Sequence, residues 1–230
     1  MIVGMVNRKH QAMSPIIDHE ALMKLAKDYP HVESMIRTTI PSMDGWATLD
    51  KAFTMAGLVL EMKPKVVVEI GTYAGRSLLP MLWALRETKS GKAIGIDPYD
   101  AKISSEQEFP GNSEWWAGLD HALIEKKFHA FLKAFGVSHL CEVVKKKSDD
   151  VTPPDVIDIL HIDGGHTDVA IRDATRFGAK VRGGGVVVLD DIQWVGGSVL
   201  RAIDELEAMG FKEGYRNVEQ NWNVMQRIKK

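Results

Sequence analysis

Glu69 to Ser77 reads EIGTYAGRS, follows the apolar run Val66-Val67-Val68 and precedes an apolar helical stretch. The segment is a strand, a glycine turn and a helix start. Glycines at such a turn let the backbone approach a ligand closely, and the amides at the helix N-terminus point into the same space. This is a cradle for a nucleotide-type cofactor. The spacing of Gly71 and Gly75, E-x-G-x-x-x-G-x-S, differs from the G-x-G-x-x-G that a dinucleotide's pyrophosphate requires, and Tyr73 widens the turn. A small cofactor without a pyrophosphate fits better, and a nicotinamide oxidoreductase fits poorly. Asp97 ends the next strand-like run, a position from which a carboxylate takes both hydroxyls of a ribose. An aspartate before Pro98 also serves simply to begin a turn.

A second group of reactive residues lies further on, in HIDGGH (161–166) and VVVLDDIQW (186–194). Asp163, Asp190 and Asp191 would repel one another and raise one another's pKa unless a cation sits among them. Oxygen ligands with positions left for water and substrate suit a hard divalent ion such as Mg²⁺, whereas no Cys and His cluster is spaced for zinc. The alternative is that Asp190 caps a helix and Asp163 only orders a glycine turn. His166 stands three residues after Asp163, where an imidazole takes a proton from a hydroxyl held at such a cation. It also reads as a helix-start histidine that meets only Asp163 or solvent.

The elements that must position these residues follow from the hydrophobic pattern. From Ser14 to Met62 apolar residues recur at helical spacing, interrupted by Pro30 and Pro41, which predicts a helical extension over 1–62. After Pro64 the strands KVVVEI (65–70), KAIGID (92–97), VIDILHID (156–163) and GGVVVLD (184–190) alternate with helices. That alternation predicts an α/β domain over 63–230 with a Rossmann-like, doubly wound, mostly parallel sheet. FKEGYR and WNVMQRI predict an antiparallel hairpin at its edge. In such sheets ligands bind beyond the carboxyl ends of the strands, so Glu69, Asp97, Asp163, Asp190 and Asp191 converge on one edge. Residues 98–137 read as a lid, polar at first and helical from about Ser113.

Composition narrows the classes of partner. The chain has 230 residues, 45% hydrophobic and 26% charged, with 29 basic against 31 acidic residues and a formal charge of −2. No long basic block is present to track nucleic acid. No run approaches the roughly 18 apolar residues of a membrane span, and MIVGMVNRKHQAM lacks the features of a leader, so a cytoplasmic protein is expected. The only cysteine, Cys141, opens the β-like run CEVVKK and reads as a small buried hydrophobe. The helical extension offers a surface for pairing two copies.

From about residue 42 to 230 the chain resembles the class I S-adenosylmethionine-dependent methyltransferases, whose seven-stranded sheet ends in an antiparallel hairpin. The resemblance implies that Glu69, Gly71, Thr72, Tyr73, Gly75 and Ser77 wrap the methionine part of S-adenosylmethionine and that Asp97 binds its ribose. It further implies that Ser148 and Asp149, in KKKSDD, border the adenine, with Asp163 also against the cofactor. The acidic cluster and His166 are similar to the metal-dependent O-methyltransferases, among them catechol O-methyltransferase and the enzymes that decorate sugars and macrolides. By that resemblance Asp163, Asp190 and Asp191 bind Mg²⁺ and His166 is the base, where the catechol enzyme has a lysine. The acceptor would be a small hydroxylated molecule: a sugar, a phenol or a polyketide-type product. Tyr99, Trp115, Trp116 and Trp194 flank the predicted crevice as walls for it. Met43 and Trp46 lie where the catechol enzyme sets a methionine-containing segment against the cofactor. Two other readings stand beside this one: a methyltransferase whose acidic cluster is structural, and a non-catalytic protein that binds the cofactor.

Overall fold

The computed structural model describes residues 17–106 and 109–229. The first 16 residues of the expected helical extension, with the segment read for a leader, lie outside this range. Three helices open the described chain: α1 (His19–Lys27), α2 (Pro30–Thr39) and α3 (Leu49–Met62). Then β1 (Val66–Ile70), α4 (Leu78–Thr88) and β2 (Lys92–Ile96) follow, and α5 (Ala101–Ser105), α6 (Pro110–Ala117) and α7 (His121–Ala134) lead to β3 (Cys141–Val144). The remaining elements are β4 (Ile157–Ile162), α8 (Asp168–Gly178), β5 (Val181–Asp190), α9 (Ser198–Ala208), β6 (Phe211–Asn217) and β7 (Trp222–Arg227).

The seven strands form one sheet in the order β3-β2-β1-β4-β5-β7-β6. The pairs from β3 to β5 are parallel, while β7 runs antiparallel to both β5 and β6. This is the doubly wound sheet with a C-terminal hairpin expected from the hydrophobic pattern. Strand order reverses across β1 and β4, the place where such sheets open a crevice.

Side chains alternate across the sheet, and the two faces bury separate cores. Val67, Ala93, Ile159, Val186 and Val188 pack with α3, α4 and α7, whereas Val68, Ile96, Leu160, Val187 and Leu189 pack with α8 and α9. The core of the first face also takes in Leu22, Val32, Ile36 and Phe53, so the N-terminal helices share it with the sheet.

The segment between β2 and β3 differs from the expectation. Helix begins at Ala101 rather than near Ser113, because Asp100 caps α5 by accepting from the Ile103 amide at 2.9 Å. Helix α7 buries Ile124, Phe128 and Leu132 in the core.

Candidate active site

Register explains why the site residues meet. Ile70 pairs with Ile96 on one side and with Ile162 on the other, and Ile162 pairs with Leu189. The residues that follow these four are Gly71, Asp97, Asp163 and Asp190, which therefore stand in a row along the carboxyl edge of the sheet.

Gly71 (φ +86°) and Gly75 (φ +78°) adopt left-handed backbone, but what excludes a side chain at each is protein. A Cβ at Gly71 would sit 2.0 Å from the Asp163 carbonyl oxygen, and one at Gly75 would sit 2.2 Å from the Phe128 ring. Tyr73 between them is also left-handed, at φ 47°, a conformation costly for a non-glycine residue. Its amide donates to Asp97 Oδ2 at 2.8 Å, and the Tyr99 hydroxyl donates to its carbonyl at 2.9 Å. Asp97 Oδ1 accepts from the Tyr99 amide at 2.8 Å. Burial raises the Asp97 pKa while these two amides oppose the rise. The turn reading and the ligand reading of Asp97 are compatible: each oxygen accepts from one amide and keeps a second lone pair.

Ser148 is buried and its hydroxyl donates to Asp173 Oδ2 at 3.0 Å. Asp149 accepts from Arg172 Nε and Nη2 at 3.0 and 2.8 Å, and that bidentate pairing holds its pKa low.

The face that α3 covers ends in a row of buried polar side chains. Glu69 and His161 are register partners, and Asp190 lies two residues beyond Val188, so all three point to the same side. His161 Nδ1 is 2.8 Å from Glu69 Oε1, and its Nε2 is 2.9 Å from Asp190 Oδ2. The Ser77 hydroxyl donates to the same Glu69 oxygen at 2.6 Å. Lys51 descends from α3, donates to Asp190 Oδ2 and sits 3.2 Å from His161 Nε2.

The electrostatics of this row are strongly coupled. Burial and Lys51 both pull the His161 pKa down, yet its bonds to Asp190 and Glu69 outweigh them and raise it to about 9. Burial alone would raise Asp190, but Lys51 and His161 hold it well below the usual carboxylate range. Burial and the charge of Asp190 push Asp163 well above that range. The cation that the carboxylates call for is thus present in part within the chain: the Lys51 ammonium lies against Asp190.

Asp191, at φ 56°, turns away from this row. Its Oδ1 accepts from Asn221 Nδ2 at 2.9 Å, and its Oδ2 is 2.8 Å from His166 Nε2. The His166 ring lies against Trp194, with centroids 4.4 Å apart. Potential ligand atoms of Asp163, His166 and Asp191 all lie within 4.8 Å of one another, as do those of His161, Asp163 and Asp190.

One cavity of about 570 Å³ joins these parts. Gly71, Thr72, Tyr73, Ser77, Asp97, Ser148 and Asp149 line it, together with Asp163, His166, Asp190, Asp191 and Trp194. Residues 68–192 match a family described as a methyltransferase domain. The chain belongs to that family. No curated protein sequence matches the chain. Among solved structures, the O-methyltransferase NovP is 15% identical, covers 92% of this chain and 100% of its own, and superposes with a TM-score of 0.65. The O-methyltransferase TomG from Streptomyces achromogenes, involved in tomaymycin synthesis and solved with SAM, is 16% identical over 93% of this chain and 92% of its own, with a TM-score of 0.57. A Bacillus cereus O-methyltransferase solved with SAH is 14% identical over 90% and 91%, also at 0.57. At these identities the likeness establishes the fold.

In this methyltransferase two of the expected cofactor residues lie behind the cavity: Glu69 is wholly buried and Gly75 faces Phe128, and neither lines it. The aromatic wall is corrected in part. Tyr99 is buried with its hydroxyl committed to Tyr73, and Trp115 leans on Trp46 and Trp116 outside the cavity. Trp116 and Trp194 line it, as does Trp46, whose loop is held by Arg76 donating to the carbonyls of Met43, Gly45 and Ala47. The Met43 side chain is core. Burial pushes the Cys141 thiol up to about 12, in keeping with a packing role. Sequence reasoning missed Lys51, His161 and Arg76. The signal for Lys51 was a lysine opening the otherwise uncharged stretch KAFTMAGLVL.

Proposed function

We propose that this methyltransferase carries a methyl group from S-adenosylmethionine to a hydroxyl of a small molecule. The observation that carries the reading is one cavity lined both by the glycine loop with Asp97 and by His166 with Asp163, Asp190 and Asp191. The glycine loop and Asp97 would hold the cofactor, with Ser148 and Asp149 beside its base. His166, oriented by Asp191 and backed by Trp194, would take the acceptor's proton. Trp116 and Trp194 would flank an apolar or ring-bearing acceptor and exclude water. Because the sulfonium is already activated, alignment of oxygen, methyl and sulfur is the protein's main task.

The finer part of the proposal is a divalent cation, for which we favour Mg²⁺. The donors suit it: possible ligand atoms of Asp163 lie within 4.8 Å of those of Asp190 in one group and of those of Asp191 in another, and a cation there would oppose the rise that burial and the charge of Asp190 impose on the Asp163 pKa. Asp163, Asp190 and Asp191 would hold the ion, which when bound lowers the pKa of a hydroxyl presented to it.

Calorimetric titration with S-adenosylmethionine, S-adenosylhomocysteine and NAD tests the cofactor. Binding of the first two and not the third is expected, and preference for NAD would refute the reading. Methyl transfer to a panel of sugars, phenols and polyketides, with and without a chelator, tests the rest; full activity in chelator would remove the cation.

A further inference from the structure

We propose that Lys51 is a built-in competitor for the cation site: its ammonium occupies Asp190, so helix α3 sets how tightly the site holds a divalent ion. The inference rests on the reading of Asp163, Asp190 and Asp191 as cation ligands given above. Lys51 is 4% exposed, and the other buried positions of α3, from Ala52 to Leu60, are all uncharged. An ammonium group that deep persists only where anions satisfy it. Its seat is fixed at both ends. Thr48 caps α3 by accepting from the Lys51 amide at 3.2 Å, and the side chain then runs to Asp190.

The competition follows from the lone pairs available. Asp190 Oδ2 accepts from Lys51 Nζ and lies 2.9 Å from His161 Nε2, which occupies both lone pairs of that oxygen. A divalent ion drawing on Oδ2 must displace one of these donors. It would also stand beside the positive charge of Lys51 for as long as that side chain stays on Asp190. His161 is held from its other side by Glu69 at 2.8 Å, which leaves Lys51 as the donor able to withdraw by changing rotamer. The same arrangement keeps Asp190 from being a bare buried anion when no ion is bound.

The test is Lys51→Met in the full chain, which keeps the length of the side chain and removes its charge. Mn²⁺ binding, read from the electron paramagnetic resonance of the free ion, should tighten by about tenfold or more relative to the parent. The melting temperature of the variant should rise more steeply with Mn²⁺ than that of the parent. Unchanged or weaker Mn²⁺ binding by Lys51→Met overturns the proposal. Should the variant be unfolded without metal, recovery of its circular dichroism on adding Mn²⁺ supports the proposal and failure to recover overturns it. Titration of the same preparations with S-adenosylhomocysteine separates the two readings. If both proteins bind it and neither binds Mn²⁺, the competition is refuted while cofactor-dependent methyl transfer stands.

Discussion

Asp173 provides a test of the electrostatics away from the carboxylate cluster. It lies on α8 with its side chain wholly buried, Oδ2 accepts from the Ser148 hydroxyl, and Oδ1 has no partner. Burial is the leading cause of a pKa raised to about 7; the Ser148 bond lowers it, and the charge of Asp149 adds to the rise. A carboxyl whose folded pKa exceeds its unfolded value near 3.9 favours folding when protonated. That contribution is complete below about pH 4 and is lost as pH rises toward 7. At pH 8 the folded protein therefore carries an ionised, half-partnered carboxylate. The gap of about three pH units corresponds to a cost of roughly 4 kcal/mol, at about 1.4 kcal/mol per unit. Asp173→Asn keeps an oxygen for Ser148 and removes the ionisation. Urea unfolding followed by circular dichroism should show the variant more stable by about 2 to 4 kcal/mol at pH 8 and close to the parent near pH 4. A variant destabilised equally at both pH values would refute the reasoning, since it would show the carboxylate to be well held by Arg172 and Arg176.

Gly75→Ala imposes a left-handed alanine and drives a methyl into Phe128, so denaturant unfolding should show a loss of about 2 to 5 kcal/mol. Gly111→Ala, in α6 with nothing near its added Cβ, is the matched control and should be neutral or stabilising. His166→Ala should lower turnover by roughly 10² to 10⁴ while calorimetry shows S-adenosylhomocysteine binding intact; unchanged turnover removes it from the mechanism. Asp97→Ala should instead weaken that binding by about tenfold or more, since it removes a charged acceptor and frees the amides of Tyr73 and Tyr99.

The strands, their polar ends and the edge on which they converge were legible because buried parallel strands are apolar runs whose ends must reach water or a ligand. Parity along those runs carried more than we read from it. Val67 and Glu69, Ile159 and His161, Val188 and Asp190 share one face, so a carboxylate, an imidazole and a second carboxylate were bound to meet there once the strand order was known. His161 was thus recoverable from register, whereas Tyr99 was misread because its ring fills core and its hydroxyl closes the Tyr73 turn. Lys51 is a different case. A helix presents residues by its rotation about its own axis, which is set by the Thr48 cap and by packing against α4 and α1, none of which a strand pattern encodes. A lone lysine in an apolar helix signals that a buried anion awaits it. Only the packed structure shows the anion to be Asp190, and hence that a ligand inferred for a metal already has a cation of the chain's own beside it.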